Sequence, residues 1–174
     1  MRGTTLLAIA LGFLTAPPLR AQAPLTARAD LIDARGQKVG EAELRQTPGH
    51  GVLIRIDVSG LPPGVHGFHI HETGKCEPPS FESAGAHYAP RGRDHGFLVE
   101  RGAHAGDLLN LHVPESGRAR VEQLATTLTL QPDEVGTLFD SDGSAIVIHA
   151  GPDDYRTQPS GDSGDRLVCG VIRR

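Results

Sequence analysis

The sequence predicts an all-β domain, an antiparallel sandwich or barrel of about eight short strands. Three observations predict it. Helical periodicity is scarce beyond the first two dozen residues, whereas short segments alternating apolar and polar side chains recur. Glycine and proline, 22 and 13 of the 174 residues, punctuate those segments. Two long polar stretches rich in glycine and proline, 72–103 and 151–165, fit no strand, and in a compact domain such stretches are functional loops or disorder.

Residues 1–23 read as a secretory leader, with Arg2 as the basic start, an apolar run from Leu6 to Leu14 and a small-x-small cleavage site at Ala21-Gln22-Ala23. The competing reading is a buried N-terminal helix. Cleavage after Ala23 leaves 24–174 as one domain with room for a real core. The leader contains no cysteine, which argues against a lipid anchor, and no later apolar run is long enough to cross a bilayer.

The elements follow in chain order. Leu25, Ala27, Ala29 and Leu31 alternate with polar residues, as do Val52, Ile54, Ile56 and Val58 with Leu53, Arg55 and Asp57. Val65 to Glu72 is expected as a strand. Asp140-Ser141-Asp142-Gly143 reads as a hairpin turn between Leu138-Phe139 and Ala145–Ile148, and Arg166 to Ile172 as a last strand.

The formal net charge is −4 from 17 basic and 21 acidic side chains; losing Arg2 and Arg20 with the leader leaves 15 against 21, or −6. An acidic domain without a basic stripe is a poor nucleic-acid binder, and any anionic substrate must be drawn in locally. The two cysteines, Cys76 and Cys169, in a secreted chain suggest one disulfide. It would close a loop of roughly 90 residues, worth on the order of 4 kcal/mol in the chain-entropy view. The alternatives are two buried thiols or metal ligands, and the cysteines stand too far apart for a paired thiolate motif.

The candidate chemistry lies in His69, His71, His87, His95, His104 and Asp107, with His149 further along. Imidazole and carboxylate are ligands of first-row metals. Strand alternation puts Phe68 and Ile70 on one face and His69 and His71 on the other, a two-histidine claw outside the core. His149 ends Ala145-Ile146-Val147-Ile148-His149, whose alternation sets it with Val147 on the face opposite Ile146 and Ile148. His87, His95, His104 and Asp107 offer three nitrogens and one oxygen, which suits a closed, structural zinc. His69, His71 and His149 offer three nitrogens, which suits copper. A catalytic three-histidine zinc would use the same donors, and the residues alone do not separate the two.

Gly67-Phe68-His69-Ile70-His71-Glu72 and Gly161-Asp162-Ser163-Gly164-Asp165-Arg166-Leu167-Val168-Cys169-Gly170 resemble the two signatures of the copper–zinc superoxide dismutases. Ser83–His87, Asp94-His95-Gly96-Phe97 and His104–Leu108 also match, in order. The resemblance implies an eight-stranded antiparallel Greek-key β-barrel, immunoglobulin-like in its sandwich architecture, with two long functional loops. It implies copper on His69, His71, His87 and His149, and zinc on His87, His95, His104 and Asp107, so that His87 bridges both metals. It implies a Cys76–Cys169 disulfide, a substrate-receiving Arg166, and an Asp153 carboxylate linking a copper histidine to a zinc histidine. The implied activity is conversion of superoxide to oxygen and hydrogen peroxide by alternate reduction and oxidation of copper, with His87 supplying a proton.

The chain departs from the family pattern at Ala86, Tyr88, Ala89 and Ala103, which alter loop packing and not ligand identity. The charged steering loop of many members has no clear counterpart, and Lys75 and Arg156 read as ordinary solvated charges. His66, His50 and His112 read as structural or surface residues. The leader and the Lys75–Pro79 pattern imply a Gram-negative periplasm and a role in protecting the cell envelope; a homodimer is a family-weighted expectation. Two competing functions are a non-catalytic metal carrier of the same fold, which losing Arg166 or a ligand would have favoured, and a zinc hydrolase, which lacks a placed general base.

Overall fold

The computed structural model describes residue 23 and residues 25–174, and the expected leader lies outside them save for Ala23. Nine strands occur among these residues: β1 (Thr26–Asp33), β2 (Lys38–Gln46), β3 (Val52–Val58), β4 (Gly64–His66), β5 (Phe68–His71), β6 (Leu111–Val113), β7 (Ala119–Ala125), β8 (Ala145–His149) and β9 (Arg166–Val171). One 3-10 turn, Glu82–Ala84, is the sole helical element described. The fold is all-β, as expected.

Alternation does the work in β1 to β3. Ala27, Ala29 and Leu31 of β1, Ala42 and Leu44 of β2, and Val52, Ile54, Ile56 and Val58 of β3 are buried, while Arg28, Asp30, Glu43 and Arg55 point to solvent. The β1–β2 turn closes because Asp33 Oδ1 accepts the backbone N–H of Arg35 and of Gln37, both at 2.9 Å. Pairs such as Arg55 with Glu122, 2.6 Å apart, lie on the wet face and contribute little.

Seven strands form one antiparallel sheet in the order β5-β8-β9-β1-β2-β3-β7, and β4 pairs with β6 in a separate ribbon. The ribbon joins the two edges of the large sheet: β4 runs into β5 through Gly67, and β6 packs beside β7. The sheet thereby curls toward a barrel around one main core, whose largest fully buried side chains include Phe68, Leu31, Ile54, Ile146 and Leu111. Truncating such a residue to alanine costs about 2–5 kcal/mol. A smaller second cluster, Phe81, Ala84, Ala145, Val147 and Cys169, lies on the other face of β8 and β9.

Two expectations are corrected. The single strand expected over Val65–Glu72 is two strands in two sheets. The break falls at Gly67, whose N–H donates to Gly151 O at 2.7 Å and whose carbonyl accepts from His149 N at 2.9 Å; a Cβ there would meet Ser163 Cβ at 2.8 Å. Leu138-Phe139 is not a strand, so 138–148 is not a hairpin. β8 pairs instead with β5 and β9, and Asp140 Oδ1 accepts the Gly143 N–H at 3.0 Å in a turn that leads into β8. Leu138 is nevertheless fully buried, held by the Thr129–Thr137 bridge, and this burial produced the apolar signal.

Candidate metal centre

β5 carries His69 and His71 on the face opposite Phe68 and Ile70. Loops cover that face, so that all four residues are buried. β8 pairs with β5 and delivers His149 at its end. His87 lies on the long loop and reaches the site through its bridge to His71. The result is one cluster of His69, His71, His87 and His149, and a second of His87, His95, His104 and Asp107; within each, the ligand atoms all lie within 4.8 Å of one another. His87 belongs to both.

In the first cluster each imidazole has one nitrogen tied outward. His69 Nε2 lies 2.9 Å from Asp153 Oδ2, His71 Nδ1 lies 2.9 Å from Gly85 O, His149 Nδ1 lies 3.1 Å from Gly164 O, and His87 Nδ1 lies 2.9 Å from Asp107 Oδ1. The inward nitrogens, His69 Nδ1, His71 Nε2, His87 Nε2 and His149 Nε2, have no partner. Five buried side-chain atoms are orphaned among the described residues, and these are four of them. An unpaired buried polar atom costs about 1–3 kcal/mol, so four at one point call for a shared partner. Burial first, and the neighbouring charges of His87, Arg166 and His149 after it, hold His71 well below its ordinary pKa. Burial likewise lowers His87 to about 4 and His149 to about 3. Burial lowers His69 too, so all four rings are neutral at pH 7 with lone pairs available, the form that binds metal.

The second cluster closes around one oxygen. His87, His95 and His104 each place Nδ1 near Asp107 Oδ1, at 2.9, 3.1 and 3.3 Å. Nitrogen ligands 2.0–2.1 Å from a tetrahedral zinc stand about 3.3 Å apart, so the spacing fits a small four-coordinate ion. Asp107 Oδ2 is held by the N–H groups of Gly96 and His104, at 2.9 and 3.0 Å, which turns Oδ1 to the histidines. Burial lowers the pKa of His95, but Asp107 and Asp153 on its two nitrogens outweigh it and raise it to about 9. The field that would hold a proton there also attracts a dication.

Asp153 couples the clusters: Oδ2 meets His69 Nε2 at 2.9 Å, and Oδ1 meets His95 Nε2 at 3.0 Å. Two residues that the sequence did not single out hold it in place. Asn110 clasps its backbone, accepting from Asp153 N at 2.9 Å and donating to Asp153 O at 2.8 Å. Gly161 approaches so closely that a Cβ would fall 1.9 Å from Asp153 Oδ1. Neither is a ligand type, and only Gly161's place in the Gly161–Gly170 motif could have signalled it.

Arg166 opens β9 and is half-buried beside the first cluster, near enough that its charge further lowers His71 and His149. Cys76 and Cys169 form the expected disulfide, with Cα atoms 5.6 Å apart, tying the loop to β9. His66 makes no part of either cluster; its Nδ1 and Nε2 lie 2.8 and 2.9 Å from the carbonyls of His149 and Pro62. His50 and His112 are exposed, as are Lys75 and Arg156.

Fold and site together define a β-barrel protein with two adjoining four-donor clusters, fit for metal ions, that share one histidine. The model of the copper/zinc superoxide dismutase family (SODC) matches residues 38–172, and the chain belongs to that family. A Cu-Zn superoxide dismutase of Aquifex aeolicus (strain VF5) is 47% identical over 150 residues, 86% of this chain and 87% of that one. One from Caulobacter vibrioides is 41% identical over 140 residues, covering 79% and 80%. The crystal structure of a superoxide dismutase-like protein from Bacillus subtilis superposes with a TM-score of 0.81 at 42% identity, covering 83% of this chain and 96% of that one. The activity is superoxide dismutation and the cofactors are copper and zinc. All seven donors expected from the sequence are brought together.

Proposed function

We propose that copper binds at His69, His71, His87 and His149, that zinc binds at His87, His95, His104 and Asp107, and that Arg166 receives superoxide. The four converging orphan nitrogens carry this reading, since three copper-only imidazoles and the bridging His87 are each tied outward and open inward. Bound copper supplies the one-electron steps that turn two superoxide ions and two protons into oxygen and hydrogen peroxide, and bound zinc supplies a fixed positive charge.

The residues do the rest. The domain is acidic overall, so Arg166 must reverse the local sign and orient the anion. His87 Nε2 has no other partner and can hold a proton facing the substrate, while Asp107 on Nδ1 fixes the ring. Asp153 keeps a copper histidine and a zinc histidine in register, and such outer partners are worth 10–100-fold in metal affinity as a rule. Metal analysis of the purified protein tests the reading: one copper and one zinc per chain, with activity tracking copper, is the expected result. Activity independent of copper overturns it.

Residues 1–23 act as a leader that delivers the domain to the periplasm, where it protects the envelope from superoxide. The basic start, the apolar run from Leu6 to Leu14 and the Ala21-Gln22-Ala23 cleavage pattern support this. Phe97, Leu109 and Leu124 are exposed and line one groove, the surface that supports a homodimer. Light scattering that gives twice the domain mass bears this out, and a monomer at high micromolar concentration refutes it.

A further inference from the structure

We propose that Phe81, far from any ligand role, is a positioning residue for Arg166: its buried ring pins the 81–85 turn whose carbonyls aim the guanidinium. The inference rests on the reading that Arg166 receives the anionic substrate.

The guanidinium is held by backbone alone. Nη1 donates to Phe81 O at 2.7 Å and Nη2 donates to Gly85 O at 2.8 Å. Arg166 makes no ion pair among the described residues. Carbonyl acceptors orient the arginine without neutralising it, so its full charge is left for an incoming anion. Gly85 O also lies 2.9 Å from His71 Nδ1, so one carbonyl sets both the arginine and a proposed copper ligand.

The turn owes its shape to Phe81. This residue has φ of 55°, a left-handed conformation that aromatic side chains rarely adopt and that persists only where the surroundings over-determine it. Its ring is fully buried against Ala84, Ala145, Val147 and Cys169, in the small cluster apart from the main core. Phe81 O accepts from Ala84 N as well, at 3.1 Å, which directs the carbonyl along the turn. Ser83 Oγ accepts the Glu77 N–H at 2.8 Å and closes the loop behind it. The disulfide fastens the same loop to the strand bearing Arg166, but it does so at Cys76, five residues before Phe81. The ring is the largest side chain of that cluster and belongs to the residue that supplies one of the two carbonyls. Its removal should free the turn while leaving the barrel core, and the strands that carry His69, His71 and His149, in place.

The test uses the copper- and zinc-loaded protein with Phe81→Ala, Phe81→Leu, Arg166→Ala and the Phe81→Ala/Arg166→Ala pair. Three quantities are read: azide affinity as a monoanion probe, the ionic-strength dependence of kcat/KM, and 15N relaxation of the Arg166 Nε–H in the copper(I) form. Arg166→Ala should weaken azide binding about tenfold and flatten the salt dependence. Phe81→Ala should approach that behaviour with both metals retained, Phe81→Leu should keep most of the wild-type affinity, and the pair should be no worse than Arg166→Ala alone. The Arg166 Nε–H should become mobile in Phe81→Ala. If Phe81→Ala does not fold, Phe81→Gly, which suits the left-handed backbone at φ 55° and likewise lacks the ring, carries the same comparison and should show the same loss of azide affinity and the same mobile Arg166. Wild-type azide affinity and a rigid Arg166 in the Phe81 variants, beside a clear loss in Arg166→Ala, overturn the positioning role alone. No loss in Arg166→Ala overturns the substrate reading beneath it.

Discussion

The two halves of the metal centre are built differently. The His69–His71–His149 side stands on β5 and β8, which are paired strands with core residues on their other face. Its inward nitrogens converge with no hydrogen-bond partner. The His95–His104–Asp107 side stands on loops, and its nitrogens close around Asp107 Oδ1. Strands preorganise ligands by their pleat, so that side needs only carbonyl and carboxylate partners to set the rings. Loops lack such a frame, so the second side needs a carboxylate held by two backbone N–H groups, and the Asp153 brace. Four imidazoles suit copper, whereas three imidazoles and a carboxylate suit a structural zinc.

The contrast breaks first at His149. His149→Ala removes one of four nitrogens from the strand side alone, and activity should fall more than a hundredfold with zinc still bound; parallel metal and activity assays check this. Zinc loss on the same scale would show that the halves are not separable. Next in size is the covalent tie between loop and strand. Replacing Cys76 and Cys169 by alanine should cost about 2–5 kcal/mol, read by denaturant unfolding of the metal-loaded protein. An unchanged midpoint would mean that the metals already hold the loop. Asp153→Asn keeps the shape of the brace but removes its charge. Asp153 is the carboxylate on the Nε2 of both His69 and His95, so the affinities for copper and zinc should both fall, by about 10–100-fold, in competitive chelator titrations. Arg166→Glu should leave both metals bound, slow the reaction about tenfold at low salt and invert its salt dependence. Equal rates at low salt would remove Arg166 from the substrate path.

Much of this was legible beforehand because strands write their period into the sequence. Val52–Val58 alternates cleanly, and the structure buries and exposes those residues accordingly. The claw at His69 and His71 was legible for the same reason. The break at Gly67 was not, since apolar alternation passes straight through it, and only the backbone bonds to Gly151 and His149 show the chain changing sheets. Leu138 misled because a buried loop leucine and a strand leucine look alike in sequence. Residue chemistry alone sorted the donors into two groups. That His87 serves both, and that Asp153 joins them, came from the family resemblance, because the ring's two nitrogens face opposite clusters and nothing in residue order encodes that. Asn110 and Gly161 act through shape and backbone, which composition does not reveal.

The central claim is that one imidazole, His87, joins two unlike sites. Anomalous diffraction from crystals of the metal-loaded protein, recorded at the copper and zinc absorption edges, tests it most directly. The account predicts a copper peak against His69 Nδ1, His71 Nε2, His87 Nε2 and His149 Nε2. It also predicts a zinc peak against Nδ1 of His87, His95 and His104 and against Asp107 Oδ1. A single peak, or either metal bound away from His87, would contradict it.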